Sequence, residues 1–179
     1  MVDNLVERIR KQDRGAMRQL YDTYVEELSS VCYRYVPTES DAKDVLQNSF
    51  VKIFTSIPSM EYRSEASFKG WMSKIVANEA LGFLRNRKRM LFVEHDVAMP
   101  DLPDESPATE LVSPEELHRL VSELPDGYRT VLNLYVFEGY PHRKIGELLG
   151  IKESTSATQL HHAKRLLAKR IKEIINGKR

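Results

Sequence analysis

One cysteine among 179 residues, Cys32, leaves nothing for an internal disulfide, which fits a chain that folds in a reducing compartment. No apolar run approaches the ~20 residues of a membrane-spanning helix, and the amino terminus lacks the apolar core of a signal peptide. The expectation is a cytoplasmic protein with no membrane insertion of its own. Period-two runs of β-branched residues are missing, so no segment reads as a strand. There is no phosphate-binding glycine loop, no His-Glu-x-x-His, no cysteine pair, and no Ser/His/Asp set in a strand context. An enzyme is therefore not expected, and neither is a cofactor. Adjacent His161 and His162 are the nearest approach to a metal pair, but neighbours on a helix point to different faces and zinc requires further ligands. No metal site is expected.

What the chain has is charge in blocks. The net charge is +1, yet residues 1–90 carry +3, residues 91–127 carry −9, and residues 128–179 carry +7. Two basic ends around an acidic middle suit two modules that face nucleic acid and a connector that must avoid it.

Helical periodicity runs almost throughout. A first long helix is expected over Arg14–Tyr35, with Met17, Leu20, Tyr21, Tyr24, Leu28, Val31, Cys32 and Tyr35 on its apolar side. Cys32 is thus expected to be a packed thiol. Pro37 stops this helix, and Thr38 with Asp41 is expected to cap the next, Glu39–Ile57. That helix gathers Ala42, Val45, Leu46, Phe50, Ile53, Phe54 and Ile57 on one side and Asp41, Asp44, Gln47, Asn48 and Lys52 on the other. Taken alone, the polar side reads as a solvated surface. Residues 58–66 form a loop with Tyr62 and Arg63 outward. A third helix, Ser67–Arg89, opens with the apolar set Phe68, Trp71, Met72, Ile75 and Val76. Lys74, Asn78, Leu81, Arg85 and Lys88 step by four and three along another side. Four cations crowd positions 85–89, more than the helix dipole needs, which suits phosphate contact.

Residues 91–112, rich in acids and proline, read as a flexible linker able to span up to ~70 Å when extended. A second module opens at Ser113-Pro114-Glu115-Glu116, a capping box with proline in the first turn. Its last part contains a short helix with Ile145, Leu148 and Leu149, a break at Gly150, and a longer helix. In that longer helix Leu160, Ala163, Leu167, Ile171 and Ile174 share one side, and Thr158, His161, His162 and Arg165 the other. Such a pair is the pattern of a helix-turn-helix, which lays its second helix in a major groove. An ordinary helical hairpin has the same pattern.

Three strings together resemble the bacterial RNA polymerase sigma factors of the sigma-70 family, in the group IV or extracytoplasmic-function type. They are Asp41–Phe54, Ser67–Arg89 and Glu123–Leu167, in the order and spacing of that family. The resemblance implies an all-α protein of two small helical domains. A bundle over 1–90 docks on core polymerase and handles the −10 element. A four-helix domain over 113–179, containing the helix-turn-helix, reads the −35 element. The acidic flexible linker over 91–112 joins them.

Residue by residue, the resemblance implies that Asp41, Asp44, Gln47 and Asn48 meet the clamp coiled coil of the polymerase. Tyr62, Arg63, Lys74, Asn78, Arg85 and Lys88 would act at the −10 element. Ala157, Thr158, His161, His162, Lys164 and Arg165 would face the −35 duplex. The partners implied are core RNA polymerase, through its clamp coiled coil and flap, promoter DNA, and an anti-sigma factor that masks these surfaces. Three departures stand out: Asn48 where an acid is usual, Ala157 and two histidines where Arg or Lys is common, and Gly146 in place of alanine. The linker either threads the polymerase or stays solvated. A stand-alone operator-binding regulator would account for the last helices but leave Asp41–Arg89 unemployed, and an interaction scaffold would have little use for two basic ends.

Overall fold

The computed structural model describes residues 2–86 and 108–177. Lys88 and nearly all of the expected linker lie outside the described residues. The fold is all-α and divides into two compact units, Met1–Asn86 and Arg87–Arg179.

In the first unit, a helix not anticipated from the sequence, α1 (Val2–Arg10), buries Leu5, Val6 and Ile9. Gln12 turns the chain with a left-handed φ of 60°. Asp13 then caps α2 (Arg14–Tyr35), accepting from the Gly15 and Ala16 N–H groups at 2.8 and 3.1 Å. The Arg8 guanidinium, 2.8 Å from Asp13, followed by the Ala16 N–H, holds that carboxyl below its ordinary value. Leu20, Tyr24, Leu28, Val31, Cys32 and Tyr35 are buried along α2, as their spacing predicts.

Helix α3 (Glu39–Ser56) and helix α4 (Glu65–Asn86) pack on each other and both on α2. Thr38 makes no side-chain cap bond at the start of α3, contrary to expectation. Phe68, Met72, Val76, Ala80 and Leu84 enter the core from α4, and Trp71 stacks on Phe68 with ring centres 5.7 Å apart. Burying a side chain of the size of Leu or Phe stabilises by roughly 1.5–3 kcal/mol, so this three-helix seam dominates the unit.

The second unit opens with α5 (Pro114–Ser122), whose capping box forms as expected: Glu116 N–H donates to Ser113 Oγ, and Ser113 N–H to the Glu116 carboxylate, each at 3.1 Å. Next come α6 (Asp126–Leu132), a π-turn over Asn133–Phe137, α7 (His142–Leu149) and the long α8 (Glu153–Gly177). Helix α8 packs along α6 and α7 and touches α5. Leu160, Ala163, Leu167 and Ile171 supply its buried side, with Ser156 and Gln159 also buried. Gly150 adopts φ 69°, the left-handed conformation that lets α7 end and α8 leave at an angle.

Candidate nucleic-acid interface

Three surfaces carry the expected site residues. On α3, Asp44, Gln47 and Asn48 are exposed together with Val51 and Lys52. Asp41 departs from this set, being only 8% exposed. It lies four and eight positions before Val45 and Ser49, both buried, so it belongs to the inward row of the helix. Lys52 forms an ion pair with Glu79, tying the outer side of α3 to α4.

The second surface is the turn between α3 and α4. Ile57–Ser59 forms one turn of 3-10 helix with Ile57 buried, and the chain runs extended at Met60. The guanidinium of Arg10 donates to the Met60 carbonyl at 2.6 Å. At the other end Ser64 and Ser67 exchange bonds, Ser67 N–H to Ser64 Oγ and Ser64 N–H to Ser67 Oγ, both at 3.1 Å. These satisfy donors at the start of α4 in the manner of a cap. Tyr62 does not stand free of the fold as expected: it is half-buried, its ring 5.9 Å from Phe68. Arg63 is exposed and pairs with Glu61 at 3.0 Å.

On α4, Lys74, Asn78 and Arg85 are exposed, but Leu81 in the same row is buried beside Ala77, Ala80 and Leu84. The row is therefore a polar margin interrupted by a core contact.

The third surface belongs to α8. Ala157, Thr158, His161 and Lys164 are exposed, at steps that keep them on one side. His162 and Arg165 are half-buried at its flank, with the His162 ring 5.7 Å from that of Tyr128 on α6. Burial pushes the Tyr128 phenol above its ordinary value. Opposite this outward side, α8 is locked to α7. His142 Nδ1 lies 3.0 Å from Ser156 Oγ while its ring stacks on Tyr135, 4.7 Å away. Gly146 approaches the turn so closely that a Cβ there would sit 2.7 Å from the Ile151 carbonyl oxygen.

Sequence reading missed Arg10, Arg129 and His142. Arg129 is buried on α6, donating to the Ser122 and Leu124 carbonyls at 3.1 and 2.6 Å and pairing with Asp126. It ties the end of α5 to the start of α6. The capping-like string around Pro125-Asp126 was its one available signal. For Arg10 and His142 the partners are distant in sequence or across a turn, and no local pattern marks them.

Two family models match the chain: Sigma-70 region 2 over residues 20–90 and Sigma-70, region 4 over residues 114–167. The ECF RNA polymerase sigma factor SigW of Bacillus subtilis is 24% identical, with the alignment covering 97% of this chain and 98% of that protein. The ECF RNA polymerase sigma-E factor of Haemophilus influenzae is 28% identical over 96% of this chain and 95% of its own. A solved structure, CnrH in complex with the cytosolic domain of CnrY, aligns at 17% identity and a TM-score of 0.49, covering 94% of this chain and 96% of that one.

Proposed function

This chain belongs to the sigma-70 family, in its extracytoplasmic-function group, and on that premise we propose that it directs core RNA polymerase to promoters through three separate surfaces. It is a transcription initiation factor and not an enzyme. The observation that carries the proposal is the pairing of order with exposure. The region 2 match falls largely on the first unit and the region 4 match on the second, and each unit exposes polar residues where its role requires them.

Asp44, Gln47 and Asn48 on α3 form the docking surface for the clamp coiled coil, with Asp41 part of the packing beneath. The loop over 58–66 and the margin of Lys74, Asn78 and Arg85 engage the opened −10 element. A flipped base needs edge hydrogen bonds and a flat apolar wall, for which the exposed Arg63 and the half-buried ring of its neighbour Tyr62 are the sources. The outward side of α8 enters the −35 major groove. Ala157, Thr158 and His161 face base edges, and Lys164, with Arg165 and His162 at the flank, faces phosphates. Major-groove reading without an arginine fork loses the strongest guanine contact, so the −35 sequence should differ from that of arginine-reading relatives. The domains run 1–90 and 113–179 with a linker over 91–112. The flap of the polymerase meets the second domain, and an anti-sigma factor covers the docking and DNA-facing surfaces until released.

Transcription of sheared genomic DNA by the organism's own core polymerase, with and without this protein, tests the proposal. New RNA 5′ ends sharing two upstream motifs are expected. Thr158→Ala or His161→Ala should lower use of those promoters about tenfold, the scale of one or two lost base contacts, with core affinity unchanged. Asp44→Ala combined with Gln47→Ala should weaken core affinity instead. Loss of core binding from the α8 variants would overturn the division of labour. An absence of new starts and of core binding would favour a stand-alone operator-binding regulator.

A further inference from the structure

We infer that helix α1, acting through Arg10, holds the 58–66 loop in the shape needed to capture an unstacked base, which makes Arg10 a positioning residue for promoter opening. The inference rests on the −10 role proposed above for that loop. Helix α1 lies ahead of the region 2 match, which begins at residue 20.

Its geometry points to the loop. Leu5, Val6 and Ile9 seat α1 in the core, where it packs on α2 and on the 3-10 turn at Ile57–Ser59. Arg10 stands in the last turn of α1. Its Nη1 donates to Glu7 at 2.7 Å, and its Nη2 donates to the Met60 carbonyl at 2.6 Å, fifty positions away in the chain. Met60 closes the 3-10 turn, its own N–H going to Ile57 at 3.2 Å. Its carbonyl is therefore where the chain leaves regular structure and enters the loop.

With Arg10 at one end and the Ser64–Ser67 exchange at the other, both ends of the loop are tied down, and between them Glu61 and Arg63 are exposed while Tyr62 is half-buried. A loop held in its working shape before it meets a ligand loses less freedom on binding. The arrangement has an expense that argues for a use. Arg10 Nε is buried without an acceptor, a penalty that an apolar side chain at this position would avoid. The charge-assisted bond to the loop carbonyl is what arginine supplies in return.

The test uses full-length protein with core polymerase on a promoter identified by mapped 5′ ends. The templates are the intact duplex and the same duplex premelted across the −10 element. Arg10→Met keeps the aliphatic packing and removes the donor; Arg10→Lys keeps one donor. Arg10→Met should reduce open-complex formation on the intact duplex about tenfold, the scale of one hydrogen bond to a charged group, and much less on the premelted template. Arg10→Lys should recover part of the loss. Affinity for core polymerase and for −35 duplex should not move. Equal defects on both templates, or a parallel fall in core affinity, would reduce Arg10 to a structural residue and overturn the inference. Failure of the wild-type chain to open any promoter would instead overturn the underlying −10 role, so the two failures are distinguishable.

Discussion

Gly146 has no room for a side chain. A Cβ at this position would meet the Ile151 carbonyl oxygen at 2.7 Å, and the obstacle is backbone in the turn that the Gly146 carbonyl itself helps to close by accepting from Ile151 N–H at 3.1 Å. Alanine would gain about 1 kcal/mol of helix propensity, but forcing the turn apart costs roughly 1–3 kcal/mol. Gly146→Ala should therefore lower the melting temperature of the second unit and weaken −35 binding, because α7 and α8 meet at this contact. A rise in melting temperature would show that the turn relaxes freely.

Cys32 supplies a pH test. Burial pushes its thiol from an ordinary 9.0 up to about 12, and its Sγ lies 3.5 Å from the Ala42 carbonyl oxygen, consistent with a packed thiol. The folded chain keeps the proton where the unfolded chain releases it. The contribution is thus fully present below about pH 9 and falls as pH rises toward 12. Urea unfolding at pH 8 and 10 should show a steeper loss for the wild type than for Cys32→Ala, other groups titrating alike in both.

At the scale of elements, the joints matter more than the helices. Asp13 caps α2, Ser113 and Glu116 box the start of α5, and Gly150 ends α7. Each joint uses residues close in sequence, so each is legible there. The joint between α5 and α6 differs, because it is made by one arginine reaching back to carbonyls of the preceding turn. Arg129→Ala would leave the Ser122 and Leu124 carbonyls and the Asp126 carboxylate without their buried donor. A buried carbonyl left without its donor costs about 1–3 kcal/mol, while the Asp126 carboxylate, 31% exposed, keeps contact with solvent; a loss of that size is a large part of the stability of a small domain. Denaturant unfolding followed through the second unit should show that loss; a change within about 0.5 kcal/mol would mean water replaces the guanidinium.

At the scale of the whole molecule, two compact units divide the proposed work, with polymerase docking and −10 opening on one and −35 reading on the other. Separate cores should unfold separately. Calorimetry of Arg129→Ala should show one transition shifted or lost and the other unchanged. A single merged transition in the wild type, moved as a whole by this substitution, would show that the units stabilise each other. Among the described residues no helix is long and apolar enough to cross a membrane, and no group of side chains is placed to hold a metal ion.

Much of this protein follows from short-range pattern. The periodicity of Arg14–Tyr35 returns as α2 with the same ends, the boxed start of α5 is readable in four letters, and Gly150 marks the reversal before α8. These features depend on neighbours within one or two turns, which the sequence displays side by side. Tertiary packing alone decided the rest. Asp41 and Leu81 are buried although each belongs to a polar-looking stripe, because the inward side of a helix is set by what packs against it. His162 sits at the flank of α8 because Tyr128 on α6 fills the space beside its ring. Arg10 meets Met60 only once α1 has folded onto the 3-10 turn. Amphipathic spacing shows that a helix has two sides, and only the neighbouring helices determine where the boundary between them falls.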